Sequence, residues 1–352
     1  MTTSTDHRSA PIAVGIALPG HLREFDAGLV PEWARAIESA GFDTLSVSDR
    51  LAWPTPEPVT TLAAAAAVTH RVGLLSSVLL GPPRPHPGLF ASAAATVDAI
   101  AGPGRLRLGL APGGRPSDHA GSPVPFEGRG KVFDDWLAEV RSTWCGESST
   151  GIGPLPATPS GPPMLFGGAS APTVRRITEY GQGWIAGGQS AEQFATFAAR
   201  VREAWTGAGR PGTPQLSVSV MVALGPRGDG VGTEAVSTYY ADLGERFRAD
   251  AVAATITDAD TLRRTVRAFA RAGADEACSR PTTPNPTRSI VSPRHSAPSV
   301  DPTGPGDRAP NPQPDRSASG TGRLVQSSVP TQTCTRRPTT AASAASGARC
   351  TA

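Results

Sequence analysis

The chain has 352 residues and a formal net charge of +3 at pH 7, and a chain of this length can bury a large core. The excess positive charge lies in residues 281–352, which contain eight Arg and three Asp, so the preceding residues are close to neutral. The near-neutral part lacks a basic surface for nucleic acid, and the basic part has no aromatic side chains to stack on bases. No nucleic-acid-binding function is therefore predicted.

The first apolar run, from Ile12 to Leu18, is shorter than a membrane span and lacks the basic flank of an export signal. We therefore expect a strand there, no membrane partner and a cytoplasmic protein. The four cysteines are far apart, with neither a Cys-x-x-Cys pair nor a histidine at ligand spacing, so no metal site is predicted.

From Ile12 to about Ala274, short apolar runs alternate with longer segments of helical period, which is typical of repeated βα units around a parallel sheet. The predicted strands are Ile12–Leu18, Asp43–Ser48, Val72–Leu80, Arg105–Ala111, Pro163–Gly167, Gly183–Gly187, Leu216–Leu224 and Ala274–Arg280. Eight such strands predict an α/β fold, namely a closed (β/α)8 or TIM barrel. The eighth strand is the weakest, because residues 276–280 offer few large apolar side chains.

Helical period is clearest in two groups of bulky apolar residues that should pack on the barrel. They are Phe133, Trp136, Leu137, Val140 and Trp144, and then Phe194, Phe197, Val201 and Trp205. Ser190 and Gln193 form a capping box before the second group, and Asp258 can cap a later helix.

Three segments are predicted: a flexible N-terminus over residues 1–11, the barrel over residues 12–286, and a disordered tail over residues 287–352. The composition changes near residue 281, since residues 281–352 contain twelve Pro, ten Ser and eleven Thr but no Phe, Trp or Tyr. Such a segment buries too little apolar surface to offset the entropy of ordering it.

Barrel active sites lie at the C-terminal ends of the strands, so residues that follow each strand are the candidates. His21 follows strand 1 and His86 follows strand 3. Both are candidate catalytic acids or bases, because histidine titrates nearest physiological pH, and a place in a surface loop is the competing interpretation. Trp53, after strand 2, is a candidate wall of the substrate pocket, with core packing as its alternative.

A glycine turn joins strand 5 to a helix, in the order Gly167, Gly168, Ala169 and Ser170. Ser170 can cap the helix, and free backbone N–H groups together with the helix dipole would bind a phosphate there. A tight βα turn without a ligand is the alternative interpretation.

Six sequence blocks, taken together, resemble the bacterial luciferase-like monooxygenase family over roughly residues 12–286. They are A-G-F-D-T-L-S-V-S-D (40–49), E-P-V-T-T-L (57–62), G-R-L-R-L-G-L (104–110), F-E-G-R-G (126–130), P-P-M-L-F-G-G (162–168) and Y-G-Q-G-W-I (180–185). That family binds FMN or the deazaflavin coenzyme F420, so the resemblance implies an oxidoreductase with a flavin-type hydride carrier.

The resemblance also implies which residues surround the cofactor: Asp49 after strand 2, Ser76 and Ser77 in strand 3, and the turn formed by Gly167, Gly168, Ala169 and Ser170. A non-prolyl cis peptide within 76–78 is expected from the same resemblance. Many members have Asp-His after strand 2, whereas this chain has Asp49-Arg50. Arg50 cannot donate a proton near neutral pH, so its catalytic role would be electrostatic; a structural arginine paired with Asp49 is the alternative.

The leading hypothesis is an F420-dependent oxidoreductase that transfers hydride to or from a small organic substrate. An FMN-dependent monooxygenase that takes reduced flavin from a partner reductase is the first alternative. An inactive flavin-binding barrel is the second, because of Arg50 and the weak eighth strand. The sequence leaves three points open. They are the substrate, the choice between F420 and FMN, and the oligomeric state, for which a homodimer is one option.

Overall fold

The computed structural model describes residues 11–148, 151–224 and 228–282. The predictions for residues 1–10 and for the tail over 287–352 therefore lie outside the described residues. Within the described ranges, no helix is long and apolar enough to cross a membrane.

Eight parallel strands form a closed barrel in chain order, as predicted. They are β1 (Ala13–Ala17), β2 (Thr44–Val47), β3 (Gly73–Leu80), β4 (Leu106–Ala111), β5 (Met164–Gly167), β6 (Gly183–Gly187), β7 (Gln215–Val222) and β8 (Glu276–Pro281). The barrel closes where β8 pairs with both β7 and β1, so that Glu276 lies opposite Ser217 on one side and Ala13 on the other.

Helices follow the strands and cover the outside of the barrel. They are α1 (Val30–Ala40), α2 (Pro58–Val68), α3 (Pro87–Ala101), α4 (Pro116–His119), α5 (Arg129–Trp144), α6 (Ala171–Glu179), α7 (Ala191–Gly207), α8 (Thr233–Tyr239), α9 (Glu245–Ala253) and α10 (Ala259–Arg271). At the start of several helices, the side chain of the capping residue accepts a hydrogen bond from a backbone N–H of the first turn. Ser170 caps α6, Ser190 forms the expected capping box with Gln193 at α7, and Asp258 caps α10.

The two predicted apolar helix faces are buried against the barrel. On α5, Phe133, Leu137 and Val140 are fully buried, and on α7 Phe194 and Val201 are too. Because the bulky positions recur every three or four residues, one stripe of each helix faces the strands while the other stripe faces solvent.

The polar composition of β8 does not prevent it from closing the barrel, which corrects the expectation of a degraded eighth strand. The Glu276 carboxylate accepts hydrogen bonds from Thr44 Oγ1 (2.5 Å), Ser217 Oγ (2.8 Å) and Arg107 Nη2 (2.8 Å). Burial alone would raise the pKa of Glu276, but Arg107 and the hydroxyl groups outweigh it and hold that pKa below its ordinary value. These partners come from β2, β4 and β7, so the carboxylate lies inside the barrel, and a polar strand is stable because its polar side chains are satisfied there.

Residues 228–256, between β7 and α10, form an excursion that contains α8 and α9. Its end returns to the barrel where Ile256 bridges Val222 of β7. This excursion lies at the C-terminal ends of the strands, which is the end where a barrel enzyme holds its active site.

Candidate active site

The C-terminal ends of the strands surround a cavity of about 450 Å³, which we call the mouth cavity. Its lining includes Asp49, Arg50 and Ser77, which are three of the predicted site residues. Other lining residues come from the excursion, from β3, from the segment after β4 and from β8. In that order they are Tyr239, Tyr240, Leu243 and Phe247; Val78 and Leu80; Gly114, Arg115 and Asp118; and Arg280. Polar, charged and apolar groups from five parts of the chain thus meet at one opening.

Strand β3 is irregular beside this cavity. Its pairing with β4 shifts register between Ser76 and Leu79, and the Ser77–Val78 peptide bond is cis, where a non-prolyl cis bond was expected. The Ser77 Oγ lies 3.2 Å from the Ser219 Oγ of β7, on the opposite wall. Ser76 was expected beside the cofactor, but it does not line the cavity. Its buried hydroxyl donates a hydrogen bond to the Gly109 carbonyl (2.9 Å).

Asp49 is held by β3 and by Arg84. Its Oδ2 accepts hydrogen bonds from the Leu80 backbone N–H (2.9 Å) and from Arg84 Nη1 (2.6 Å). Burial raises the pKa of Asp49, and the neighbouring Arg84 opposes this effect. Asp49 therefore ties the loop after β2 to the end of β3.

Arg50 pairs with Asp118 and Asp242 and not with Asp49, which corrects the structural alternative stated above. Its Nε lies 3.4 Å from Asp118 Oδ1 and its Nη2 lies 2.9 Å from Asp242 Oδ2. Its Nη1 donates to the Tyr239 carbonyl (3.0 Å). The charge of Arg50 is thus compensated by two carboxylates, one of them from the excursion.

His21 and Trp53 lie beside a second cavity of about 310 Å³, which we call the side cavity. Neither ring nitrogen of the buried His21 has a hydrogen-bond partner among the described residues. Burial, and secondarily the charge of Arg280, lowers the pKa of His21 to about 3, so its imidazole is neutral at physiological pH. The ring of Tyr239, which lines the mouth cavity, stands edge-on to both His21 (5.8 Å between centroids) and Trp53 (5.2 Å).

His86 lies outside both cavities. It is exposed, and its Nδ1 accepts a hydrogen bond from the Leu89 backbone N–H (3.1 Å) at the first turn of α3. Its observed contact is therefore that of a helix cap, which matches the surface-loop alternative.

The glycine turn lies at the end of β5 with the expected shape. Gly168 has φ +95°, a conformation that glycine adopts without strain, and Gly168, Ala169 and Ser170 are exposed. Its carbonyl accepts a hydrogen bond from the indole of Trp184 (2.7 Å), which fixes the turn against β6. A methyl carbon added to Gly167 would lie 3.1 Å from a methyl of Val78, so the turn adjoins the mouth cavity.

Sequence reasoning missed Arg280, Tyr239 and Tyr240, which line the mouth cavity. The alternation of Glu276, Cys278 and Arg280 in β8 was a usable signal, because every second residue of a barrel strand faces the interior. The tyrosines gave no such signal, since they lie on an excursion that the βα repeat does not predict. No His, Cys, Asp or Glu cluster within the described ranges could hold a metal ion.

An eight-stranded parallel barrel with a cavity of mixed polar and apolar lining at the C-terminal ends of its strands is the architecture of a TIM-barrel enzyme. The family model described as luciferase-like monooxygenase matches residues 8–283. The chain belongs to the luciferase-like monooxygenase family and is an oxidoreductase or a monooxygenase.

Several relatives bear this out. An F420-dependent hydroxymycolic acid dehydrogenase of Mycobacterium tuberculosis is 30% identical over 262 residues, which cover 69% of this chain and 69% of that protein. An F420-dependent glucose-6-phosphate dehydrogenase of Beutenbergia cavernae is 36% identical over 166 residues, which cover 42% of this chain and 49% of that protein. The crystal structure of a monooxygenase from Streptomyces bottropensis has the same fold, with a TM-score of 0.68 and 21% identity over 80% of this chain and 97% of that one.

Proposed function

We propose that the protein is an F420-dependent oxidoreductase that transfers hydride to or from a small organic substrate. The observation that supports it most directly is the mouth cavity, whose volume of about 450 Å³ lies within the roughly 300–1,000 Å³ usual for small-molecule sites. The two relatives named for F420-dependent dehydrogenation favour F420 over FMN.

The residues present fit such a coenzyme. Val78 offers an apolar surface for the ring, and Gly167 behind it begins a turn whose exposed backbone can hold a phosphate at the start of α6. When bound, F420 would supply the hydride chemistry. The chain would orient the ring against β3 and exclude water with Leu243 and Phe247 of the excursion.

Two polar side chains at the mouth cavity, Arg50 and Tyr239, would position the excursion and the ligand. The guanidinium of Arg50 is already paired with Asp118 and Asp242, so it serves as a fixed charge that holds the excursion over the cavity. Burial raises the pKa of Tyr239, so its hydroxyl stays protonated and can donate a hydrogen bond to a ligand.

The test is a titration of the purified protein with F420 and with FMN, followed by absorbance and fluorescence. F420 should bind at least tenfold more tightly than FMN. Tighter binding of FMN would favour the monooxygenase, for which a partner reductase would supply reduced FMN. Leu243 and Phe247 would then limit the access of water to the cavity. Failure to bind either cofactor would favour an inactive barrel.

A variant pair tests the glycine turn. Gly168→Val should weaken F420 binding at least tenfold, about 1.4 kcal/mol, because the bulky side chain distorts a left-handed turn and covers its N–H groups. Gly212→Val is the matched control: Gly212 has φ +65° and open space around it, and it precedes β7 at the other end of the barrel. Equal binding by both variants would argue against a phosphate site at the turn.

A further inference from the structure

Strand β8 carries an arginine into the mouth cavity. Glu276, Cys278 and Arg280 alternate along the strand and all face the barrel interior. Glu276 pairs with Arg107 of β4, Cys278 belongs to a buried cluster with Leu75, Leu165 and Ile185, and Arg280 lines the cavity. The Nη2 of Arg280 is buried and has no hydrogen-bond partner among the described residues. A buried guanidinium nitrogen without a partner is uncommon, because its desolvation is costly.

The other charged groups of the mouth cavity are already paired. Arg50 is paired with Asp118 and Asp242, and Arg115 with Asp242. Asp49 is paired with Arg84. Across the described ranges, Arg280 is the one charged side chain of the mouth cavity for which no oppositely charged partner is found.

The surroundings of Arg280 are aromatic hydroxyl groups and not carboxylates. Its guanidinium carbon lies 5.8 Å from the centroid of the Tyr239 ring, and the hydroxyls of Tyr239 and Tyr240 are close enough to share hydrogen bonds with it. Hydroxyl groups can donate to an anion but do not neutralise the cation. The cavity therefore keeps a positive charge next to hydrogen-bond donors.

We propose that Arg280, with the hydroxyls of Tyr239 and Tyr240, binds the negatively charged oxygens of the substrate, which is thus a small organic carboxylate or phosphate ester. The planar guanidinium matches both groups in a bidentate geometry. This inference rests on the proposed function, since it names the substrate class of that site.

The position of Arg280 assigns it to the substrate and not to the coenzyme phosphate. The glycine turn follows β5, whereas Arg280 lies near the end of β8, and two strands separate them in the barrel. Arg280 instead adjoins Tyr239, whose ring contacts His21 beside the side cavity. An anion on Arg280 would lie across the cavity from the turn.

The experiment measures binding of propanoate and methyl phosphate by calorimetry, with neutral propanamide as the isosteric comparison, to the full chain with and without saturating F420. At least one of the two anions should bind the F420-saturated wild type at least tenfold more tightly than propanamide binds. Arg280→Gln should lose this preference, and Arg280→Lys should retain part of it. Arg263→Gln removes an exposed arginine of α10 and should bind as the wild type does.

Equal anion affinity of the wild type and Arg280→Gln would overturn the proposal. Two other results would also overturn the proposal, because they would show that Arg280 binds the coenzyme. One is a loss of anion binding when F420 is bound, and the other is a tenfold fall in the F420 affinity of Arg280→Gln. Failure of the proposed function looks different: F420 does not bind the wild type, while the anions still distinguish wild type from Arg280→Gln. If only methyl phosphate shows the preference, the substrate is a phosphate ester, and if only propanoate does, it is a carboxylate.

Discussion

At the scale of single residues, Arg50 lines the mouth cavity but stabilises the fold through its two ion pairs. Arg50→Gln should lower the free energy of unfolding by about 3 kcal/mol, because it leaves the buried Asp118 carboxylate without its cation. Urea unfolding measures this. Lys131→Gln, which removes an exposed partner of Asp135, should change stability far less, because water and salt screen an exposed pair. Equal effects of the two substitutions would contradict a structural role for Arg50.

His21 should make the protein sensitive to mild acid. Its pKa is about 3 in the folded protein, against an ordinary value of 6.5, so between these values the unfolded chain binds a proton that the folded protein excludes. Stability due to neutral His21 is present above pH 6.5 and is lost as the pH falls. Linkage gives a loss of about 1.4 kcal/mol between pH 7.5 and 5.5. His21→Gln should remove that part of the pH dependence in urea titrations at the two pH values, and an unchanged difference would show that His21 is protonated when folded.

Sequence reasoning named three residues that line the mouth cavity. The strand pattern placed Asp49 and Arg50 after β2 and Ser77 within β3, and the family resemblance implied that Asp49 and Ser77 lie near the cofactor. It could not separate Ser76 from Ser77, because the register shift in β3 decides which hydroxyl faces inward. It also could not pair Arg50 with Asp242, which lies 192 positions further along the chain.

At the scale of elements, β8 depends on one buried ion pair. Glu276→Leu should destabilise the protein by about 3–5 kcal/mol, because Arg107 remains inside the barrel without a counter-charge. The double variant Arg107→Met with Glu276→Leu should recover much of that loss, since it leaves no unpaired charge. Thermal and urea unfolding compare the three proteins. A double variant no more stable than Glu276→Leu would indicate that the loss comes from packing and not from the unpaired charge of Arg107.

Most elements were predictable from local chemistry. Apolar runs located the eight strands to within two residues at every end, and capping residues such as Ser190 and Asp258 marked helix starts. The eighth strand was predicted to be weak because strands were recognised by their apolar side chains. Glu276 is instead stabilised by polar partners on β2, β4 and β7, which come together only in the closed barrel. The excursion was missed because it departs from the repeat.

At the scale of the whole molecule, closure of the barrel should decide stability. A chain that ends after Pro286 retains all eight strands and should keep its melting temperature within about 2 °C, less than 1 kcal/mol for a domain of this size. A chain that ends after Ala274 lacks β8, leaves the edges of β1 and β7 unpaired, and should not unfold cooperatively. Calorimetry of both truncations tests this. A large fall in melting temperature for the longer chain would place part of the stability beyond residue 286.

The attachment of the excursion to the barrel divides the enzyme into parts that respond differently to ionic strength. The strands are held by backbone hydrogen bonds, whereas the excursion meets Arg50 and Arg115 through the half-exposed Asp242, in addition to its aromatic contacts. Dissolved ions weaken exposed charge pairs and leave the paired strands largely unaffected. We therefore expect added salt to loosen the attachment of the excursion to the mouth cavity more than it weakens the pairing of the strands.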